Sequence, residues 1–168
     1  MTTRILRVLC AVLAVLVSNT TAASAAVASR SFMAEFTAVG SFAPISTPGV
    51  LTGTGVGSGH ATHLGKVTVS ASELLDFTVS PGNVVIRDGQ LVMVAANGDE
   101  LHWTYSGSGP VPNASGEVTF GGVFTITGGT GRFADATGSG TFEGSGSVVT
   151  GPVTVAYVTV SYEGTVDY

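Results

Sequence analysis

The sequence predicts an all-β domain closed into a small antiparallel barrel, and three observations carry that expectation. From Gly116 to Gly144, GEVTFGGVFTITGGTGRFADATGSGTFEG, short runs of alternating apolar and polar residues are joined by glycine turns at 121–122 and 128–131. Glycines also recur at period two, at 53, 55, 57 and 59 and again at 138, 140, 144 and 146. A strand face left bare in this way provides sharp curvature and room for large side chains opposite, and a small closed barrel needs both. The final stretch, 153–168, is rich in Val, Thr and Tyr and apolar on both faces at its start, as a strand that closes a barrel would be.

Taken from the N-terminus, Arg4 and Arg7 precede an apolar run from Val8 to Val17, and the small residues Ala23-Ser24-Ala25 follow. This pattern predicts a secretory signal peptide over residues 1–25, with Ala26 and Ala28 as neighbouring cleavage positions that satisfy the same small-x-small rule. Residues 26–168 are then a single domain, expected outside the cell. The apolar run is about half the ~20 residues a spanning helix requires and no later segment is longer, so no transmembrane segment is expected. The only cysteine, Cys10, lies in the leader, which leaves the mature chain without a thiol or a disulfide. Eleven acidic residues against four basic ones give the mature domain a formal charge near −7. Such a surface repels phosphate backbones, and no nucleic-acid partner is expected.

Residues 31–43 alternate weakly and read as a first strand, followed by a turn at Pro44 to Pro48. The glycine-alternating segment 51–59 reads as a second strand, with a flexible linker as the competing reading. Residues 61–71 form a third, and Glu73 to Val79 reads either as a further strand or as a short helical turn. Asp88-Gly89 and Asn97-Gly98 are favoured two-residue hairpin pairs, joining NVVIR to QLVMVAA and then to DELHWTYSG.

Those two turns fix an expected register. Val94 then faces Leu101, Val92 faces Trp103 and Gln90 faces Tyr105, while Val85 and Arg87 join the same face. The opposite face carries Ile86, Leu91, Met93, Ala95, Glu100, His102 and Thr104. Because Glu100 and His102 belong outside, the Trp103 face is assigned to the interior. Arg87, Gln90, Val92, Trp103 and Tyr105 are therefore the expected ligand-binding residues, three polar groups at the end of an apolar wall. In the competing reading Arg87 and Tyr105 cap a packed core, with Arg87 paired to Asp88 or Asp99.

The run Gly128-Gly129-Thr130-Gly131-Arg132-Phe133-Ala134-Asp135-Ala136-Thr137-Gly138, with the strands on either side of it, resembles the glycine turn of the allene oxide cyclase and dirigent barrels and of their bacterial relatives. In this turn Gly128, Gly129 and Gly131 allow positive φ, and Phe133 anchors the strand that follows. The resemblance spans residues 117–146. It implies an eight-stranded antiparallel barrel with a hydrophobic central cavity, which members of that superfamily use to fold a hydrophobic substrate, as in cyclisation of an epoxy fatty acid or stereoselective phenoxy radical coupling. No motif here matches the cyclase's active-site acid or the dirigent pocket's aspartates, so no catalytic residue is carried over.

Other chemistry finds little support. His60 and His63 form HxxH, but on a strand the two rings point to opposite faces, and with His102 they lack a carboxylate or cysteine at matching spacing, so no metal or cofactor is expected. The GGTG run lacks the Lys-Ser/Thr ending of a phosphate loop, and no hydrolase elbow occurs. The reading reached from sequence is a secreted barrel that binds a small hydrophobic or amphipathic molecule. Its alternatives are an isomerase or cyclase in which Glu100, Tyr105 or Arg87 assists, and a structural or cell-surface protein without a ligand.

Overall fold

A computed structural model of the chain describes residues 29–168; the leader expected at 1–25 lies outside the described residues. Eight strands follow one another in the order β1 (Arg30–Pro44), β2 (Val50–Ala61), β3 (Gly65–Asp76), β4 (Asn83–Ala95), β5 (Glu100–Pro110), β6 (Glu117–Gly129), β7 (Thr137–Val149) and β8 (Thr154–Asp167). Each pairs antiparallel with the next and β8 pairs with β1, closing the barrel. Closure leaves no free edge, so every strand has a hydrogen-bonded neighbour on both sides.

The period-two glycines belong to this architecture. Gly53, Gly55, Gly57 and Gly59 lie along β2 on the inner face, between Leu51 and the buried Ala61, which settles the segment as a strand and not a linker. Aromatic rings occupy the room they leave. A Cβ at Gly53 would stand 2.8 Å from the Phe42 ring, and Cβ atoms at Gly107 and Gly122 would stand 3.0 and 2.9 Å from the Phe142 ring. Gly121-Gly122, expected as a turn, is therefore the middle of one continuous strand, β6, bare because Phe142 of β7 lies across it.

The turn after β6 is a single 3₁₀ turn over Gly131–Phe133, with positive φ at Gly128 and Gly131 and with Phe133 fully buried. Thr130 ties it to β5, its Oγ1 accepting the Glu100 N–H at 2.9 Å. Phe133 seals this end of the barrel together with Phe32, Met93, Leu101, Trp103, Phe124 and Val166, all essentially without solvent contact.

Two corrections concern the β4 and β5 region. Asp88-Gly89 is not a hairpin turn, because β4 runs unbroken through it. Asp88 and Gly89 stand opposite the single residue Glu73 of β3, and the register against β5 shifts between Ile86 and Gly89. This is a β-bulge, with Asp88 at a φ of 54°. Asn97-Gly98, in turn, belongs to a three-residue connection. Ala95 donates to the Asp99 carbonyl at 2.9 Å, Gly98 donates to the Ala95 carbonyl at 3.0 Å, and only Gly98 has positive φ, whereas a two-residue type I′ turn requires it at both centres.

Each correction moves side chains across the sheet. The longer hairpin pairs Leu91 with Trp103, Met93 with Leu101 and Val92 with His102, one residue away from the expected ladder. Leu91, Met93 and Ala95 are thus inside, where Val92 and Val94 were expected. Across the bulge the parity switches, so that Val84 and Ile86 face inward before it and Gly89 and Leu91 after it.

Candidate functional site

The barrel is filled at one end and hollow at the other. Above the aromatic plug, a cavity of about 330 Å³ opens towards the loops at 45–49, 77–82, 111–116 and 150–153, within the size range of small-molecule pockets, roughly 300–1,000 Å³. Its walls are aliphatic and aromatic: Ala38 and Phe42 of β1, Ala71 and Leu75 of β3, Phe120 of β6 and Val158 of β8 are among the lining residues. The loops around the mouth carry Ile45, Phe77, Val79, Val111 and Val153 exposed to solvent.

The floor is where polarity enters. Tyr162 lies between Phe36 and Phe142, its ring centroid 5.7 and 5.3 Å from theirs with near-parallel planes, and 5.1 Å from Trp103 beneath. The Trp103 indole N–H is buried and meets no hydrogen-bond partner among the described residues. Beside Tyr162, the Tyr105 hydroxyl donates a hydrogen bond to Oε2 of Glu73. Both Tyr105 and Glu73 line the cavity.

Burial shapes the acidity of these groups. It raises Glu73 above the ordinary carboxyl value, since a carboxylate loses its hydration there, and the Tyr105 hydrogen bond opposes that rise in part. Tyr105 is raised strongly, first by burial and then by the Glu73 charge, and Tyr162 is raised chiefly by burial as well. Both phenols therefore remain protonated donors through the physiological range.

Of the five expected ligand-binding residues, the structure brings two to the interior. Tyr105 lines the cavity floor, and Trp103 lies one layer lower, 1% exposed, supporting the floor without lining it. Arg87, Gln90 and Val92 are elsewhere. Arg87 and Gln90 are exposed, and Val92, paired with His102, is on the outer face, because the three-residue hairpin reverses their sides and the bulge keeps Arg87 on the side of Gln90. Arg87 binds neither Asp88 nor Asp99 but Asp76, at 2.9 Å. Asp76 is buried at the end of β3, where its Oδ1 also accepts from the Thr78 amide and hydroxyl at 2.9 and 2.6 Å; the Thr78 bonds first, then Arg87, hold its carboxyl below the usual value. Glu100 likewise faces outward, 2.7 Å from His102.

Glu73 and Tyr162 are the functional candidates that sequence reading missed. A signal for Glu73 was present: continuing the alternation of Val67, Val69 and Ala71 puts it on the inner face. The adjacent Leu74 and Leu75 hide that alternation, being apolar on both parities. The histidines do not converge. His60 is exposed on β2, His63 in the following turn donates its Nε2–H to the Ser31 carbonyl at 2.9 Å, and His102 is on β5.

No protein-family model matches the chain, and no curated protein or solved structure does either.

Proposed function

We propose that this protein is a secreted binding module that holds a small hydrophobic or amphipathic molecule in the open half of its barrel. The observation that carries the reading is the cavity itself: a largely apolar-walled volume of about 330 Å³ whose floor carries the hydrogen-bonded pair Glu73 and Tyr105 beside Tyr162. Ligand pockets have this composition, predominantly apolar walls with few polar groups that fix orientation. Export is supported by the charged, apolar and small-residue pattern of residues 1–25. The glycine turn at 128–138, which resembles that of the allene oxide cyclase and dirigent barrels, supports a cavity used for hydrophobic molecules. An isomerase of that type is the second reading, and it is favoured by the presence of a carboxyl and a phenol together in an apolar-walled pocket.

The test is mass spectrometry of organic extracts from the purified mature protein, paired with the cavity-filling variant Ala71→Phe. A bound compound recovered from the wild type and absent from the folded variant is the expected result. Equal recovery from both places the compound outside the cavity and overturns the reading.

A further inference from the structure

We infer that the cavity selects ligands whose polar end is a hydrogen-bond donor, a hydroxyl or an amine, and discriminates against carboxylates. The inference rests on the binding reading above and names the chemical class of its ligand. It departs from the arrangement expected from sequence, in which Arg87 stood at the end of the apolar wall.

Three observations support it. First, no basic side chain lines the cavity among the described residues, and Arg87 is engaged outside with Asp76. A ligand carboxylate would thus enter a poorly hydrated space without a counter-charge, which is costly. Second, Glu73 is only half satisfied. Tyr105 donates to Oε2, while Oε1 is directed to the bare backbone of β2, where a Cβ on Gly53 would stand 3.1 Å from it, and no hydrogen bond to Oε1 occurs among the described residues. A half-buried acceptor left open in this way among cavity-lining residues is completed by a donor. Third, Glu73 shares the cavity with two phenols, Tyr105 of β5, which is hydrogen-bonded to it, and Tyr162 of β8; β2 and β4 present glycines there, Gly53 and Gly89. The phenols supply no positive charge, so a second carboxylate beside Glu73 meets only like charge.

The two donor classes differ in how they depend on Glu73's proton. An alcohol donates to either form of the carboxyl, whereas an ammonium gains most from the ionised form. Binding of an amine should therefore weaken as pH falls and Glu73 takes up its proton, while binding of an alcohol should hold nearly constant.

The experiment compares four probes of matched length, 1-decanol, decylamine, decanoate and methyl nonanoate, by calorimetry on the mature protein, its Glu73→Gln variant and its Glu73→Leu variant. Circular dichroism checks that each is folded. In the wild type, 1-decanol or decylamine should bind about tenfold or more tightly than decanoate, and more tightly than the ester, which has no donor. Glu73→Leu should abolish that preference and leave the ester unaffected; Glu73→Gln, which keeps a carbonyl acceptor, should keep 1-decanol and lose decylamine. Decanoate binding as tightly as the donors, or a donor preference surviving in Glu73→Leu, overturns the inference while leaving the binding reading in place. If none of the four binds to the wild type, the binding reading itself falls and the inference with it.

Discussion

Tyr105 of β5 reaches Glu73 of β3 across an intervening strand, and the residue it crosses is Gly89. The three lie in one row: Tyr105 pairs with Gly89, and the bulge residues Asp88 and Gly89 stand opposite Glu73. A Cβ on Gly89 would come within 2.6 Å of two Tyr105 ring carbons and of the Tyr105 carbonyl oxygen. The bulge therefore does more than bend β4. It switches the strand's parity so that a glycine falls under the phenol, and it sends Arg87 outside to Asp76.

Gly89→Ala tests this relationship directly. The added methyl should push the Tyr105 ring off β4 and separate it from Glu73, with a loss of stability of about 1–3 kcal/mol, the usual range for overpacking a filled site. Urea titration measures the loss, and a crystal structure of the variant reads the Tyr105 to Glu73 separation. Full stability with the hydrogen bond intact would show that the glycine is not needed there.

Glu73 should make the protein less stable as the solution becomes more alkaline. Its folded pKa is raised by burial, so its contribution is fully present below the unfolded value and is lost as pH rises through the folded one. Glu73→Gln removes the ionisation while retaining an acceptor for Tyr105. The variant should be more stable than wild type near neutrality and should lose that advantage in acid, as followed by thermal melts across pH.

Asp76 has the opposite sign. Thr78 and Arg87 hold its carboxyl low, so its contribution is present above the unfolded value and disappears as pH falls through the folded one. Asp76→Asn should flatten the acid limb of the stability curve, and Arg87→Ala should weaken stability without altering ligand binding, since Arg87 is outside the cavity. A loss of binding in Arg87→Ala would contradict that placement.

Trp103→Ala should cost about 3–5 kcal/mol, because the indole is 1% exposed and packs against Phe32, Phe124 and Tyr162. Chemical denaturation gives the figure. The same packing makes Trp103 emission a sensor of the cavity floor through Tyr162, so a bound ligand should shift it without touching the indole.

The sequence by itself determined the class of fold and most of its strands. Alternation located the strands at 31–43, 51–59, 99–107 and 153–168, and period-two glycines predicted strands bare on one face, because glycine in a strand is costly unless curvature or a neighbouring ring requires it. Trp103 was placed inside correctly from the outward character of Glu100 and His102. What tertiary structure decided was parity. Asp88-Gly89 reads identically as a turn or as a bulge, and Asn97-Gly98 closes loops of two or three residues, since local sequence sets only which residues tolerate positive φ. Which option forms depends on whether Leu91 and Met93 or Val92 and Val94 pack against the plug of Phe32, Phe124 and Phe133, residues distant in sequence that meet only when the barrel closes. A change of one residue in register carries every side chain of a strand to the other face, and with it the candidate site loses Arg87, Gln90 and Val92, keeps Tyr105 and takes Glu73 as its partner.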